Sequence, residues 1–335
     1  MKAPVLVLAA TCLATAAFAG RIPIGGAPMT ISQSGSYVLV ADIDAIFQPA
    51  IKLSGEVNAD IDLAGHTITA YGAPVVQVRA THDDDSCRTL TLRNGVVAGG
   101  YGLVSMTGGP DACRPTLTID GAQFQSADLY VEDTVITLTR SVFTSGGIFV
   151  VNNVGGPQSH VRGNRLIGGD IVVLGDDGGN IVGNVSRGGS IMVRGNSERD
   201  TAHILIASNT IGGNLEIGGE NAGEGASDIY VARNSVNGYV TLTQTSDAKL
   251  DLNRIGRCGP GNTSIGVNFG TAGWIDANAF QGGCAHGIVF DELSSGNEYS
   301  GNTFRVVVPE PVLDYGTDNI DGDVRSQEGD GVLPQ

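Results

Sequence analysis

Positive charge is scarce in this sequence: 19 lysines and arginines stand against 35 aspartates and glutamates, a formal net charge of −16. A chain of that sign repels phosphate backbones, so nucleic acid is excluded as a partner. Aromatic surface is scarce too. There is one tryptophan, Trp274, in a turn-rich stretch, and the flat ring platforms that bind sugars need such residues. Beyond the N-terminus no apolar run reaches membrane-spanning length, so no membrane span is expected. Gly-x-Ser-x-Gly, a phosphate loop and His-Glu-x-x-His are all missing, which removes three common nucleophile, nucleotide and zinc-hydrolase chemistries. No sustained 3.6-residue apolar stripe occurs either, which argues against amphipathic helices.

What the sequence has in abundance is glycine, 50 residues of it, and one returning phrase. Gly-Asn-Arg-Leu-Ile-Gly-Gly-Asp-Ile-Val-Val at 163–173 is followed by Gly-Asn-Val-Ser-Arg-Gly-Gly-Ser-Ile-Met-Val at 183–193. Looser copies begin at Asn209, Asn234, Asn253, Asn278 and Asn302. With Asn164 and Asn184, these asparagines fall 19 to 25 residues apart, a period that marks a solenoid gaining one coil per copy. Within each copy apolar residues alternate, as in Ile171-x-Val173, Ile191-x-Val193 and Leu215-x-Ile217. Period-two runs bounded by Gly, Asn and Asp read as short strands joined by tight turns. About two dozen residues accommodate three such strands and three turns, at roughly 3.3 Å per strand residue. Asparagine suits the left-handed conformation a tight corner demands. Amides stacked at roughly 4.8 Å also bond one another in a ladder.

Ahead of these copies stand Thr30-Ile31-Ser32-Gln33-Ser34-Gly35-Ser36-Tyr37-Val38-Leu39 and Asp62-Leu63-Ala64-Gly65-His66-Thr67-Ile68. Together the pattern resembles the right-handed parallel β-helix proteins of the pectin-lyase-like superfamily, from about residue 30 to residue 319. The resemblance implies an all-β fold, a right-handed parallel β-helix with three short strands per coil. Coil starts near residues 50, 73, 101, 128, 147, 170, 190, 214, 239, 264 and 287 give about eleven coils, a rod about 50 Å long at roughly 4.8 Å per coil. It is specific for fold and not for activity, because that superfamily includes lyases, hydrolases, adhesins and proteins without known chemistry.

Residues 1–19 read as a secretion signal: Lys2 supplies the charge, Val5–Ala17 the apolar core, and Ala17-Phe18-Ala19 the cleavage site. The protein is therefore expected to be secreted or periplasmic. Losing Lys2 takes the formal charge from −16 to −17. Residues 20–49 are expected to form the first strands and a cap, 50–308 the β-helix, and 309–335 a last turn and polar tail. Outside the signal remain Cys87, Cys113, Cys258 and Cys284. Cys87 and Cys113 lie 26 residues apart, as do Cys258 and Cys284, close to one coil. Of the three connectivities four cysteines permit, only Cys87–Cys113 with Cys258–Cys284 joins adjacent coils. A zinc site has neither a Cys-x-x-Cys nor a nearby histidine cluster in its favour. No cofactor or metal is expected. Asp83-Asp84-Asp85 and the run from Thr317 to Glu328 carry carboxylates that invite calcium, but Thr317 stands where a calcium loop places aspartate.

In polysaccharide-active proteins of that superfamily the substrate lies along one sheet and its bordering loops. On this chain that sheet contains the residues just after each Gly-Gly, and alternation names the outward side chains. They include Tyr130, Glu132, Phe149, Met192, Arg194 and Glu216, a face half apolar and without a carboxylate cluster. Glu132, Glu216 and Asp291 are three or more rungs apart, too far for the pair of carboxyls about 5 to 9.5 Å apart that a glycosidase uses. At the following turn, Asp176 and Glu220 occupy equivalent places two rungs apart, with Asn196 between them and Arg194 nearby. These three ionisable groups, Asp176, Glu220 and Arg194, are the catalytic candidates for hydrolysis or for a lyase. The outward strip Tyr130, Glu132, Phe149, Met192 and Glu216 is the binding candidate. Two functions follow. One is a secreted, non-catalytic β-helix that binds or scaffolds an extracellular polysaccharide or cell-surface component. The other is a glycoside hydrolase or lyase working along the solenoid face.

Overall fold

The computed structural model describes residues 20–79, 88–100, 102–106, 114–153, 158–196, 200–219, 221, 225–258, 263–268, 270–281, 284–304 and 311–322. Every element in these stretches is a β-strand, and every strand pairing is parallel. Three sheets run the length of the chain. Sheet I has 14 strands, from Ile22–Ile24 to Ile320–Asp321; sheet II has 13, from Met29–Ile31 to Val312–Asp314; sheet III has 12, from Ile43–Ile46 to Thr303–Phe304. The chain visits them in the order II, I, III and then returns to II one rung further on, as in Ile171–Leu174, Asn180–Val182, Val185–Arg187 and Ile191–Arg194. This is a parallel β-helix. Each expected coil start lies within three residues of the first residue of a sheet II strand, and Met29–Ile31 and Val312–Asp314 pair onto the ends of that stack.

Strands this short persist because each is sandwiched between two copies of itself. In sheet II, Ile171 pairs with Ile148 and Ile191, and Val173 with Val150 and Val193. All six are at most 1% exposed. The interior is thus a continuous column of Ile, Val and Leu, with Phe124 stacked on Phe143 at 4.4 Å and Phe280 on Phe304 at 4.7 Å between ring centres.

The asparagine ladder is present. Asn164, Asn184, Asn209, Asn234, Asn253 and Asn278 are buried at the corner between sheets I and III. Each donates its backbone N–H and its Nδ2 to Oδ1 of the asparagine one coil on, at 2.9–3.2 Å, as from Asn209 to Asn234. The second Nδ2 hydrogen goes to a carbonyl one coil back, Ile181 for Asn209 at 2.8 Å. One expectation is corrected. The left-handed residue is not the asparagine but the one before it: Gly163, Gly183, Ser208, Arg233, Leu252 and Ala277 have φ between 52° and 67°. That residue makes the bend and turns the following amide inward.

Cys258 and Cys284 form a disulfide across adjacent coils, with Cα atoms 5.4 Å apart. Cys87 and Cys113 lie outside the described residues, as do the signal stretch, Asp83-Asp84-Asp85 and Glu328. Among the described residues no helix is long and apolar enough to cross a membrane, and no cluster of three metal-ligating side chains occurs.

Candidate functional site: a groove on sheet II

Parity along sheet II puts one column of side chains outward: Tyr130, Phe149, Val172, Met192, Glu216, Thr241, Gly266, Val289 and Leu313 are register partners in turn. Beside it runs a second column, Glu132, Val151, Leu174 and Arg194. These residues are half-buried, while the alternating positions form the core. At the N-terminal end of the face, burial and the neighbouring Asp133 raise the Glu132 carboxyl above the usual range, against a 2.9 Å hydrogen bond from Asn153 Nδ2.

The face deepens where the apolar part of the column ends. From the rung of Arg194 to that of Leu313, a groove of about 720 Å³ crosses six successive strands. Five rung spacings make it roughly 24 Å long. Its polar lining includes Arg194, Glu216, Asn268 and His286, and the rings of Tyr239 and Tyr315 also border it. The floor is open at Gly266, where a Cβ would meet only Thr241 Cγ2, at 3.9 Å. Arg194 reaches back along its own strand to the Met192 sulfur, so the guanidinium lies over the sheet at the groove's N-terminal end.

The spacing of these groups decides what they can do. His286 is three rungs beyond Glu216, roughly 14 Å along the stack. Two groups that share a proton transfer on one bond must both reach it. Glu216 and His286 do not. Glu216 is the one carboxylate among the groove's described lining residues, whereas glycoside hydrolysis takes two, about 5 to 9.5 Å apart. The arrangement supplies donors, acceptors and ring faces along a line.

The residues singled out from sequence are distributed as follows. Arg194 and Glu216 line the groove. Tyr130, Glu132, Phe149 and Met192 share its columns but precede it. Asp176 is fully buried: Asn152 Nδ2 donates to its Oδ1 at 3.0 Å, and the Ser159 N–H to its Oδ2 at 3.2 Å. Burial pushes its carboxyl up to about 7, against the opposing effect of the Ser159 N–H. It cannot touch a polymer on the surface, so the reading of Asp176 as an outward turn acid is corrected. Gly175, at φ 65°, makes the turn after Leu174, and alternation does not carry across a left-handed residue. Glu220 lies outside the described residues. His286 and Tyr315 escaped the sequence reading because alternation does not point to either: His286 begins the strand His286–Phe290 on the parity of the buried Ile288 and Phe290, and Tyr315 follows the strand Val312–Asp314. Only their coil register, Thr263 against His286 for example, brings them to the groove.

The fold is a parallel β-helix. Among solved structures, tailspike protein 3 of bacteriophage CBA120 matches with a TM-score of 0.54 and 11% identity, over 96% of this chain. This chain spans 58% of the tailspike's length. The A-module of the mannuronan C-5 epimerase AlgE4 of Azotobacter vinelandii follows at a TM-score of 0.49 and 15% identity, covering 88% of this chain and 91% of that one. At such identities the likeness is one of fold. No protein-family model and no curated protein sequence matches the chain.

Proposed function

We propose that this protein is an exported carbohydrate-binding β-helix that lays a linear extracellular polysaccharide along the sheet II groove without cleaving it. The observation that supports this is the groove's shape and lining taken together. It is long, open-floored and crosses six strands, and its described lining offers hydrogen-bonding groups and two tyrosines but only one carboxylate. A pocket for a small metabolite encloses its ligand; a trough perpendicular to the strands suits a chain of repeating units. Cleavage is disfavoured because Asp176 is buried and Glu216 stands roughly three rungs from His286.

The test is a panel of soluble polysaccharides, scored for binding by affinity electrophoresis and for reducing ends or unsaturated products. Binding without product is expected. Gly266→Gln fills the floor without straining the backbone and should weaken binding at least about tenfold, as should Arg194→Ala, each about 1.4 kcal/mol. Product release that survives Gly266→Gln would contradict both the site and the reading.

A further inference from the structure

Sheet I faces away from the groove, and its outer column changes character along the rod. The outward register runs Asn180, Leu205, Tyr230, Lys249, Trp274 and Glu298. Toward the N-terminus the same column carries Asp60, Thr91, Thr118 and Thr137. Within its turn-rich stretch, Trp274 begins a strand, Trp274–Asp276. Its side chain is not tucked into the core: the residue is 45% exposed, and Tyr230 is 39% exposed. A tryptophan kept for packing would be covered, because it carries the largest apolar surface of any residue.

The Tyr230 ring is held in place on the sheet. Tyr230 Oη donates to Asp251 Oδ2 at 3.0 Å, which fixes the ring along the sheet. Lys249, on the rung between the rings, places Nζ 5.6 Å from the Tyr230 ring centre. Tyr230 and Trp274 are two rungs apart, roughly 9.6 Å, which is about the length of two linked pyranose rings. Beside them, in the next outward column, Asp251 and Asp276 are register partners, and Glu298 follows Trp274 in the first.

We infer that Tyr230 and Trp274 form a second carbohydrate site, a platform for a neutral hexose or pentose chain on sheet I, separate from the groove. The aromatic spacing lets alternate sugars of a chain stack their apolar C–H faces on the two rings. Asp251 and Asp276 stand where they can accept hydrogen bonds from sugar hydroxyls, and charged acceptors make the stronger bonds. The occupant is uncharged because three carboxylates on this face, Asp251, Asp276 and Glu298, outnumber the two cations beside Tyr230, Lys249 and Arg233, and a uronate or phosphate would meet the net negative field as repulsion. The inference does not depend on the groove. If both sites bind one polymer, their tethering on a single rod raises the effective affinity.

Trp274 is the sole tryptophan of the sequence, so its emission reports this site directly. The full chain is titrated with cellohexaose, mannohexaose, xylohexaose and isomaltohexaose, with hexagalacturonate as the anionic comparison. At least one neutral oligosaccharide should quench or blue-shift the emission saturably. Gly266→Gln should leave that response unchanged, and Tyr230→Ala should weaken it at least about tenfold; the exposure of Tyr230 makes the variant structurally tolerable, which its melting curve checks. Silence with all four neutral oligosaccharides overturns the inference. So does a response removed by Gly266→Gln and untouched by Tyr230→Ala, or tighter binding of hexagalacturonate. Failure here leaves the groove proposal standing, since that one is read from Gly266→Gln in polysaccharide binding.

Discussion

A carboxyl group in the interior of a rod is a titration waiting to happen, and Asp176 is the residue that carries it. Burial raises its proton affinity to a value near 7 in the folded protein, from about 3.9 in an unfolded chain. For an acid whose folded value is raised, the unfolded chain gives up its proton first. Stability is therefore full below about pH 4, falls as pH rises toward 7, and levels off above that. About three pH units of such linkage correspond to an upper figure of about 4 kcal/mol. Asp176→Asn, which keeps the shape and removes the charge, should close that gap. Urea unfolding at pH 5 and pH 8 should show wild type losing stability between them and the variant losing less. Equal slopes for the two proteins would place the carboxylate in contact with water. The same residue marks where sequence reasoning stops. Alternation named the outward and inward residues from Ile171 to Leu174, and the structure agrees, because a strand's side chains alternate by geometry. One left-handed glycine later the parity is lost, and an acid that reads as solvated is sealed inside.

Between residue and rod, the asparagine ladder is the element that sets where each coil turns. It was legible because its signal is local and repeated: one amide per coil at a nearly constant interval. Each rung consumes two donors and one acceptor of the next, so removing one asparagine strands groups on both neighbours. Asn234→Ala leaves the Asn209 N–H and Nδ2 without their acceptor and the Ile206 carbonyl without its donor. Unpaired buried polar groups cost about 1–3 kcal/mol each, and a loss of about 3 kcal/mol or more is expected. Asn234→Asp should be worse near neutral pH. A carboxylate keeps the acceptor but has no hydrogen for Ile206 O or Asn253 Oδ1, and its charge is buried. Protonation restores a donor, so the aspartate variant should recover stability as pH falls while the alanine variant does not. Chemical denaturation across pH checks both. If Asn234→Ala melts with the wild type, the ladder is a consequence of the stacking and not a support for it.

At the scale of the whole molecule, the groove and the platform were the parts least visible in sequence. His286 and Glu216 are 70 positions apart, and Tyr230 and Trp274 belong to different coils. What places each set on one face is the running sum of every coil length between, and a sequence states that sum only if each turn is known. Stacking has a second consequence, for how the rod fails. Every interior residue touches the coil above and the coil below, so stability is close to a sum of nearest-neighbour terms. Val193 and Ile31 are both buried in sheet II, but Val193 is flanked by Val173 and Ile217, whereas among the described residues Ile31 begins the stack and pairs only with Leu53. Aspartate at either position buries an unpaired charge. Ile31→Asp should release the first coil and leave hydrogen-exchange protection elsewhere intact. Val193→Asp should break the column in the middle, removing protection from Ile171–Leu174 and Leu215–Ile217 together and dividing the melting curve into two transitions. Equal, single-step destabilisation by both variants would mean that the rod unfolds as one block. In that case coupling between distant coils would outweigh the contacts between adjacent ones.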